Sequence, residues 1–194
     1  MSKRKKSTQL ILEKITIIDT ANKGKAVAKY KDTVIFVDKA VPGDICDVII
    51  FKKKRNFWKG RVIKIHKYSK IRSKPKCEHF GICGGCKWQN MQYKFQLKYK
   101  EKEILKNISK IGGIEINNYN DIIGSESQYF YRNKMEFTFS NKKWLTNKEI
   151  SSQKKIIDKN SLGFHIPGMF DKVLDINNCY LQKDPSNSIR LSVR

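Results

Sequence analysis

The spacing of four cysteines constrains the fold of this chain more than any other sequence feature. Cys77, Cys83 and Cys86 lie within ten residues of one another in the glycine-rich stretch CEHFGICGGC, and Cys179 lies far downstream. Glycines between the cysteines allow the backbone to turn its N–H groups toward sulfur. Four thiolates so arranged can hold one metal centre, which requires two distant stretches of chain to fold together.

The spacing leaves the identity of that centre open. Zinc bound by four thiolates usually takes two Cys-x2-Cys pairs, whereas this chain has one such pair, a five-residue gap and a remote partner. The pattern favours an iron–sulfur cluster, with zinc second and inert or disulfide-bonded cysteines third. His79, inside the loop, is interpreted as solvated or hydrogen-bonded. Cys46 is interpreted as a small buried hydrophobic residue.

Residues 9–68 alternate between short apolar segments and turn signals. The turns are Asn22-Lys23-Gly24, Lys31-Asp32 and Val41-Pro42-Gly43-Asp44. The segments predicted as strands are 11–17, 25–29, 33–37, 45–51 and 57–66. Five short strands within about sixty residues predict a small closed or nearly closed β-barrel.

After residue 68 the pattern changes to that of an α+β domain, assigned to residues 69–182. Helical spacing of apolar residues predicts a helix over about 89–111 that ends at Gly112-Gly113, and its lysines are interpreted mainly as a solvated face. Those lysines are Lys98, Lys102, Lys106 and Lys110. Two-residue alternation returns in segments predicted as strands, with a polar loop between the second and the third. The strands are predicted at 135–140, 143–145, 162–166 and 172–176, and the loop at 147–160. The fold class is therefore mostly β with α.

The charge balance points to a polyanionic partner. The chain has 41 Lys and Arg against 18 Asp and Glu, a formal net charge of +23 spread along its length. This favours nucleic acid, because each phosphate contact releases condensed counterions. No apolar run reaches the roughly 18 residues of a membrane span, and the N-terminus lacks a signal peptide. We expect a cytoplasmic, monomeric protein that binds nucleic acid, with no membrane partner and a flexible basic arm at 1–8.

Two stretches combine cations with aromatic side chains, a pattern typical of RNA contacts. One is a predicted basic loop followed by two aromatic residues, and the other is Tyr131-Arg132-Asn133-Lys134, where arginine offers a planar donor fork. The residues expected to contact RNA are Lys52, Lys53, Lys54, Arg55, Phe57, Trp58, Arg132 and Lys134. The alternative is structural. Phe57 or Trp58 would then lie in the core, and Arg132 would pair with a carboxylate such as Glu136 or Asp121.

Four motifs in series resemble the RNA uracil-5 methyltransferases, most closely the branch that modifies a uridine in 23S ribosomal RNA. They are ANKGKAVAKYKDTVIFVDKAVPGD, CEHFGICGGCKWQNMQYKFQLKYKEKEI, YFYRNKMEFTFS and GFHIPGMFDKVLDINNCYLQ. The first is similar to the hairpin and Pro-Gly-Asp turn of a TRAM domain. The second is similar to the family's cluster loop and helix, the third to its Tyr-Arg-Asn-Lys strand entry, and the fourth to the region of the last cluster cysteine. Together they cover nearly all of the chain.

The resemblance implies an OB-like, five-stranded TRAM barrel at 9–68 and a central domain at 69–182 that holds a 4Fe-4S cluster. On the matching positions the cluster ligands would be Cys77, Cys83, Cys86 and Cys179. In this family an enzyme cysteine adds to carbon-6 of uracil, carbon-5 takes the methyl group of S-adenosylmethionine, and a base removes the carbon-5 proton. The target base is expected to leave its stack.

The resemblance also implies that the catalytic part is missing. In the family, S-adenosylmethionine and the nucleophilic cysteine belong to a Rossmann-like domain after the central domain. We find no Gly-x-Gly turn after a strand and no spare cysteine, so we expect that domain to be absent. Residues 183–194 would then be a linker toward it. We expect no catalytic or S-adenosylmethionine-binding residue in this chain and no methyl transfer by it alone.

Two functions remain open on these grounds. In the first, the chain is the RNA-recognition and 4Fe-4S-binding part of an S-adenosylmethionine-dependent RNA uracil-5 methyltransferase in rRNA processing, with 23S rRNA as the expected target and tRNA second. In the second, it is a stand-alone RNA- or ribosome-binding TRAM module with a structural metal site. The reading frame downstream of Arg194 distinguishes them. A cluster would have a structural or RNA-positioning role here, because this methylation needs no electron.

Overall fold

The computed structural model describes residues 10–152 and 156–194, and the contacts among them define two units. The first unit comprises the described residues up to Lys74 together with Asn90–Ile123, and the second comprises Pro75–Gln89 and Gly124–Arg194. The division groups residues 90–123 with the N-terminal strands, whereas the sequence assigned them to the second domain. The arm expected at 1–8 lies outside the described residues.

Five strands close into a barrel in the first unit, as the alternating segments predict. They are β1 (Ile11–Ala21), β2 (Lys25–Tyr30), β3 (Thr33–Asp38), β4 (Ile45–Lys53) and β5 (Phe57–Lys67). Their order around the barrel is β1-β2-β3-β5-β4, with β3 and β5 parallel. The barrel is filled by inward-facing residues, mainly small and β-branched: Leu12, Ile17, Ala26, Ala28, Ile35, Val37, Ala40, Cys46, Val48 and Ile50. The expectation that Cys46 is a small buried residue agrees with this core.

A buried carboxylate fixes the turn before β4. Asp44 accepts hydrogen bonds from the backbone N–H groups of Val41 at 2.7 Å and Ser69 at 3.0 Å. The guanidinium of Arg72 donates to both of its carboxylate oxygens, at 2.8 and 2.7 Å. Such a bidentate pair satisfies a charge that would be costly to bury alone. The Pro-Gly-Asp turn is thereby joined to residues 69–72, beyond the last strand of the barrel.

One long helix completes the first unit. Helix α1 (Tyr93–Lys110) lies within the predicted range 89–111 and has no buried residue. Gly113 adopts a φ of +66° just after it, the left-handed conformation that ends many helices and that glycine adopts without strain. The lysines of α1 are exposed on the surface of this unit.

The second unit is an antiparallel sheet with two short helices. Its elements are β6 (Thr138–Ser140), α2 (Asn147–Ser151), β7 (Ser161–Ile166), β8 (Met169–Asp175) and α3 (Ser186–Val193). The strands follow the order β6-β7-β8. Its hydrophobic core includes Ile166, Leu174, Ile176, Cys179 and Leu181. Cys179 is therefore one of the buried residues of this core.

Three sequence predictions for this unit are wrong in detail. The strand predicted at 135–140 is formed only by its last three residues, and the segment 143–145 forms a single bridge from Lys143 to Val173 instead of a strand. The predicted loop at 147–160 contains α2, which begins with a reciprocal capping box between Thr146 and Glu149. That Thr-x-x-Glu signal was present in the sequence. The lysine and serine around it suggested a loop.

No helix among the described residues is both long enough and apolar enough to cross a lipid bilayer.

Candidate metal centre and basic surfaces

Four of the cysteines line one cavity in the second unit. Its wall includes Cys77, Cys83, Cys86 and Cys179, the four identified from their spacing, and also Tyr180. The atom-free space amounts to about 400 Å³, counted with its opening to solvent. All of these cysteines are free thiols. The fold therefore brings together sulfur atoms from two stretches that are far apart in the chain.

Tight turns in the loop 77–86 direct its cysteines toward the cavity. The backbone N–H of Phe80 donates to the carbonyl of Cys77 at 3.2 Å, and that of Cys83 donates to the carbonyl of His79 at 2.9 Å. The N–H of Gly85 lies 3.3 Å from the sulfur of Cys83. A donor at this position stabilises a thiolate, which is the role expected for a glycine in this loop.

His79 connects the two cysteine-bearing stretches. It is 7% exposed, and its Nε2 atom accepts a hydrogen bond from the backbone N–H of Asn177 at 3.1 Å. Burial lowers the pKa of the imidazole, partly offset by Glu78, which favours the neutral ring that this hydrogen bond requires. The histidine is thus hydrogen-bonded, one of the two interpretations that the sequence allowed, and it positions the backbone two residues before Cys179.

Helix α3 holds Cys179 from the other side. The side-chain amide of Asn187 accepts from the N–H of Cys179 at 2.9 Å and donates to its carbonyl at 3.1 Å. Arg190 is 4% exposed and donates to the backbone carbonyls of Ile176 and Asn177. Neither residue was expected at the site, because residues 183–194 were predicted to be a linker; that prediction is wrong, since Ser186–Val193 form α3. An Asn and an Arg three residues apart carry no recognisable signal of this role.

A lysine next to Cys77 makes a further connection that the sequence did not reveal. The ammonium of Lys76 lies 4.9 Å from the ring centroids of Tyr129 and Tyr180 and 5.1 Å from that of Phe130. Contacts of a cation with aromatic faces at this distance are attractive. Lys76 therefore joins the start of the cysteine loop to Tyr180, the residue after Cys179, and to residues 129–130.

The electrostatics of the cavity reflect several thiols buried close together. Burial raises the pKa of Cys77, Cys83 and Cys179, for Cys83 to about 11, and neighbouring cysteines raise it further. Near Cys179 the positive charges of Arg190 and Arg132 act in the opposite direction. A soft cation is the group that would reverse these shifts, since thiolate is the form that binds metal.

The chemistry of the donor set fits a metal centre. Four thiols suit zinc or iron–sulfur chemistry and do not suit magnesium or calcium. Within residues 10–152 and 156–194, no three His, Cys, Asp or Glu side chains approach closely enough to hold one metal ion. The four cysteines line a common cavity, and the metal centre expected from them stays a prediction.

The basic stretch of the barrel lies at the β4–β5 hairpin. Lys52 and Lys53 end β4, so the connecting loop is shorter than predicted and includes Lys54 and Arg55. All four side chains are exposed. The structure thus presents these cations together at one end of the barrel.

The two aromatic residues after this hairpin face in different directions. Trp58 packs against the barrel core and lies 6.2 Å from Tyr30, and Lys53 covers its ring at 4.6 Å. Phe57 lies outside the barrel against Phe36, with ring centroids 5.4 Å apart and planes tilted by 69°. Trp58 thus packs on the core, as the structural alternative expected, whereas Phe57 does not.

Arg132 and Lys134 lie on the surface of the second unit. Lys134 pairs with Glu136 at 3.0 Å, but both side chains are more than 80% exposed, so the pair contributes little. No carboxylate in the described part of the chain pairs with Arg132, whose backbone N–H donates to the carbonyl of Leu181 at 2.8 Å. The alternative pairings with Glu136 and Asp121 are therefore not observed for Arg132.

Comparison with known proteins agrees with this architecture. Residues 13–63 match the family model of the TRAM domain. A Bacteroides thetaiotaomicron protein named as an uncharacterized RNA methyltransferase is 51% identical over 90% of this chain, which spans 38% of that protein. A Porphyromonas gingivalis protein of the same name is 47% identical over 92% of this chain and 39% of its own length. The chain thus spans about two fifths of the length of these relatives.

A solved structure shares the fold. The Pyrococcus abyssi tRNA (uracil-54, C5)-methyltransferase, in complex with S-adenosyl-L-homocysteine, superposes with a TM-score of 0.52 at 20% identity. The match covers 92% of this chain and 35% of that protein. The TRAM match, the two relatives and this shared fold agree with one another. This chain therefore contains a TRAM domain at residues 13–63, and about nine tenths of it is homologous to part of longer proteins named RNA methyltransferases.

Proposed function

We propose that the chain is the RNA-recognition and 4Fe-4S-binding part of an S-adenosylmethionine-dependent RNA uracil-5 methyltransferase that acts in the cytoplasm. The observation that carries the proposal is the single cavity lined by four cysteines in a chain that also has a TRAM barrel. The choice of 23S rRNA, with tRNA second, rests on the resemblance of the four sequence motifs. Relatives more than twice as long favour this function over that of a stand-alone module.

The sequence spacing of the cysteines supports a cluster over zinc, because the chain has one Cys-x2-Cys pair and not the two that four-thiolate zinc usually takes. Four-thiolate zinc needs every sulfur at about 2.3 Å from the same ion. A 4Fe-4S cluster offers a separate iron to each cysteine, so its ligands surround a larger volume. Cys77, Cys83, Cys86 and Cys179 would hold it. When bound, the group supplies strong metal–thiolate bonds that cross-link two distant stretches of chain and so stabilise the unit.

The remaining residues of the site position this cross-link. His79 and Asn187 fix the backbone on both sides of Cys179, and Lys76 fixes the approach to Cys77. We propose no residue of this chain as a nucleophile or a methyl-donor site. Its part in the reaction is to bind RNA through its basic surfaces and to present it to the rest of the enzyme.

RNA binding by the 194-residue chain is expected to weaken steeply with salt. Each phosphate contact to a single strand adds about −0.7 to the slope of log K against log salt concentration. Replacing Lys54 and Arg55 together by alanine should make that negative slope shallower, by roughly one unit or more. Fluorescence anisotropy with a labelled, unstructured RNA between roughly 50 and 200 mM salt measures both quantities.

The matched control is Lys148→Ala, which removes an exposed lysine from α2 in the other unit. It should leave the slope close to that of the unchanged chain. Absence of RNA binding at low salt, or a slope near zero, would contradict the proposed function.

A further inference from the structure

The outer face of the barrel carries an apolar patch where a polar surface is expected. Barrel strands alternate between interior and exterior, and the exterior normally faces water. In β3, Ile35 and Val37 face the interior, and Val34 and Phe36 therefore point outward. Val34 lies opposite Phe57 of β5. Both aromatic side chains are only half-buried, so the patch is open to a ligand.

The strand register extends this patch into two rows with lysines in each. One row runs Val27, Phe36 and Lys59 across three strands, and the other runs Lys29, Val34 and Phe57. The ammonium of Lys59 lies 5.8 Å from the ring centroid of Phe57. Aromatic faces and cations therefore alternate on the same surface.

Helix α1 forms the opposite wall, so that the patch becomes a groove. The lining of this groove includes Phe36 and Phe57 from the barrel and Tyr99, Lys102 and Lys106 from the helix. Its atom-free space, counted with the open side, is about 1300 Å³. We name it the barrel–helix groove. All of its residues belong to the first unit.

The charges along the rim favour an anionic occupant. Four lysines and two carboxylates line the groove: Lys25, Lys59, Lys102, Lys106, Asp19 and Glu103. Lys102 pairs with Asp19 at 2.7 Å, and Lys25 pairs with Asp38. Lys59 and Lys106 form no ion pair with any residue in the described ranges. Two cations thus remain available for phosphate groups.

The same helix continues the positive charge beyond the groove. Lys98, Lys102 and Lys106 recur at four-residue intervals, about 6 Å apart along the axis. Lys98 and Lys102 line an adjoining depression with Ile18 and Phe95. Three of the four lysines interpreted from the sequence as a solvated face therefore line the groove or the adjoining depression.

We propose that the barrel–helix groove binds a single-stranded segment of RNA, with bases on Phe36 and Phe57 and phosphates along Lys59 and Lys106. This rests on the proposed function in RNA recognition and names the surface that performs it. A single strand fits because only unpaired bases expose both faces to an aromatic ring. A double helix hides these faces and offers mainly its backbone.

Two substitutions in the 194-residue chain test the groove. Phe36→Leu keeps an apolar side chain but removes the stacking face, and it should weaken binding of single-stranded RNA about tenfold. Lys106→Glu should weaken binding at low salt and reduce the salt slope by about one. The matched control, Lys100→Glu, makes the same charge change on an exposed position of α1 outside the groove. It should have a much smaller effect.

A second measurement does not depend on the folding of variants. Single-stranded RNA that contains 4-thiouridine is crosslinked to the unchanged chain, and the modified peptides are identified by mass spectrometry. Crosslinks in the peptides of Phe36, Phe57 or Tyr99 are expected. Crosslinks confined to other surfaces, or equal effects of Lys106→Glu and Lys100→Glu, would overturn the groove while leaving RNA binding intact. Equal affinity for duplex RNA of the same length would also overturn it, whereas complete loss of binding by the unchanged chain would overturn the proposed function.

Discussion

Replacing Cys83 by serine is expected to reduce bound iron at least about tenfold, since even residues that only support metal ligands cost that much when they are changed. Cys83 lines the cavity with three other cysteines, and a backbone N–H lies 3.3 Å from its sulfur. Serine keeps the size but lacks the thiolate that binds soft metals. Loss of the cross-link should also destabilise the second unit. Iron analysis and thermal unfolding of anaerobically purified protein measure the two effects.

Cys46→Ala provides the control for this experiment. It also removes one thiol, but from the core of the barrel, where burial raises the pKa of Cys46 to about 11 and keeps it a neutral thiol. This variant should retain its iron while the barrel loses roughly 1 kcal/mol or more through the cavity. Equal iron contents in Cys83→Ser and the unchanged chain would show that Cys83 is not a ligand.

Adding a methyl group at Gly163 is expected to disrupt the sheet of the second unit. A Cβ at this position of β7 would lie 2.0 Å from the backbone oxygen of Leu174 and 2.6 Å from the side chain of Ile176. The first contact is with backbone, so relief requires β7 and β8 to separate. We expect Gly163→Ala to cost roughly 3 kcal/mol or more, at or beyond the upper end for overpacking. Chemical denaturation measures this loss.

The effect should extend to the metal site, because Ile176 lines the cysteine cavity. Gly168→Ala serves for comparison. Its added Cβ meets no atom within 4 Å, although φ is +82°, so only backbone strain of about 1–2 kcal/mol is expected. If the two alanine variants were equally stable, the close packing of Gly163 would not be a determinant of the sheet.

The barrel could be predicted from the sequence because its pattern is local. Alternation of apolar residues and the turn at Pro42-Gly43-Asp44 give strands within a few residues of those observed. The sequence also singled out the four cysteines that line one cavity, but the metal centre expected from them stays a prediction. For the barrel, a short-range signal determined a long-range arrangement.

What the sequence did not reveal depends on contacts between distant residues. Asn187 and Arg190 act on the backbone around Cys179 from a helix with no distinctive pattern. The pairing of Lys76 with three aromatic rings joins segments that lie far apart in the chain. Such contacts are determined by tertiary packing. In the sequence, each of these side chains looks like an ordinary surface residue. The open face of Phe36 likewise emerges only when strand register and helix position are known.

The identity of the group that the four cysteines bind is the central claim to test. The decisive measurement is the iron, acid-labile sulfide and zinc content of the 194-residue chain, isolated without oxygen. We predict about four irons and four sulfides per chain, with a brown colour, and no stoichiometric zinc. A colourless protein with one zinc and no sulfide would contradict the cluster.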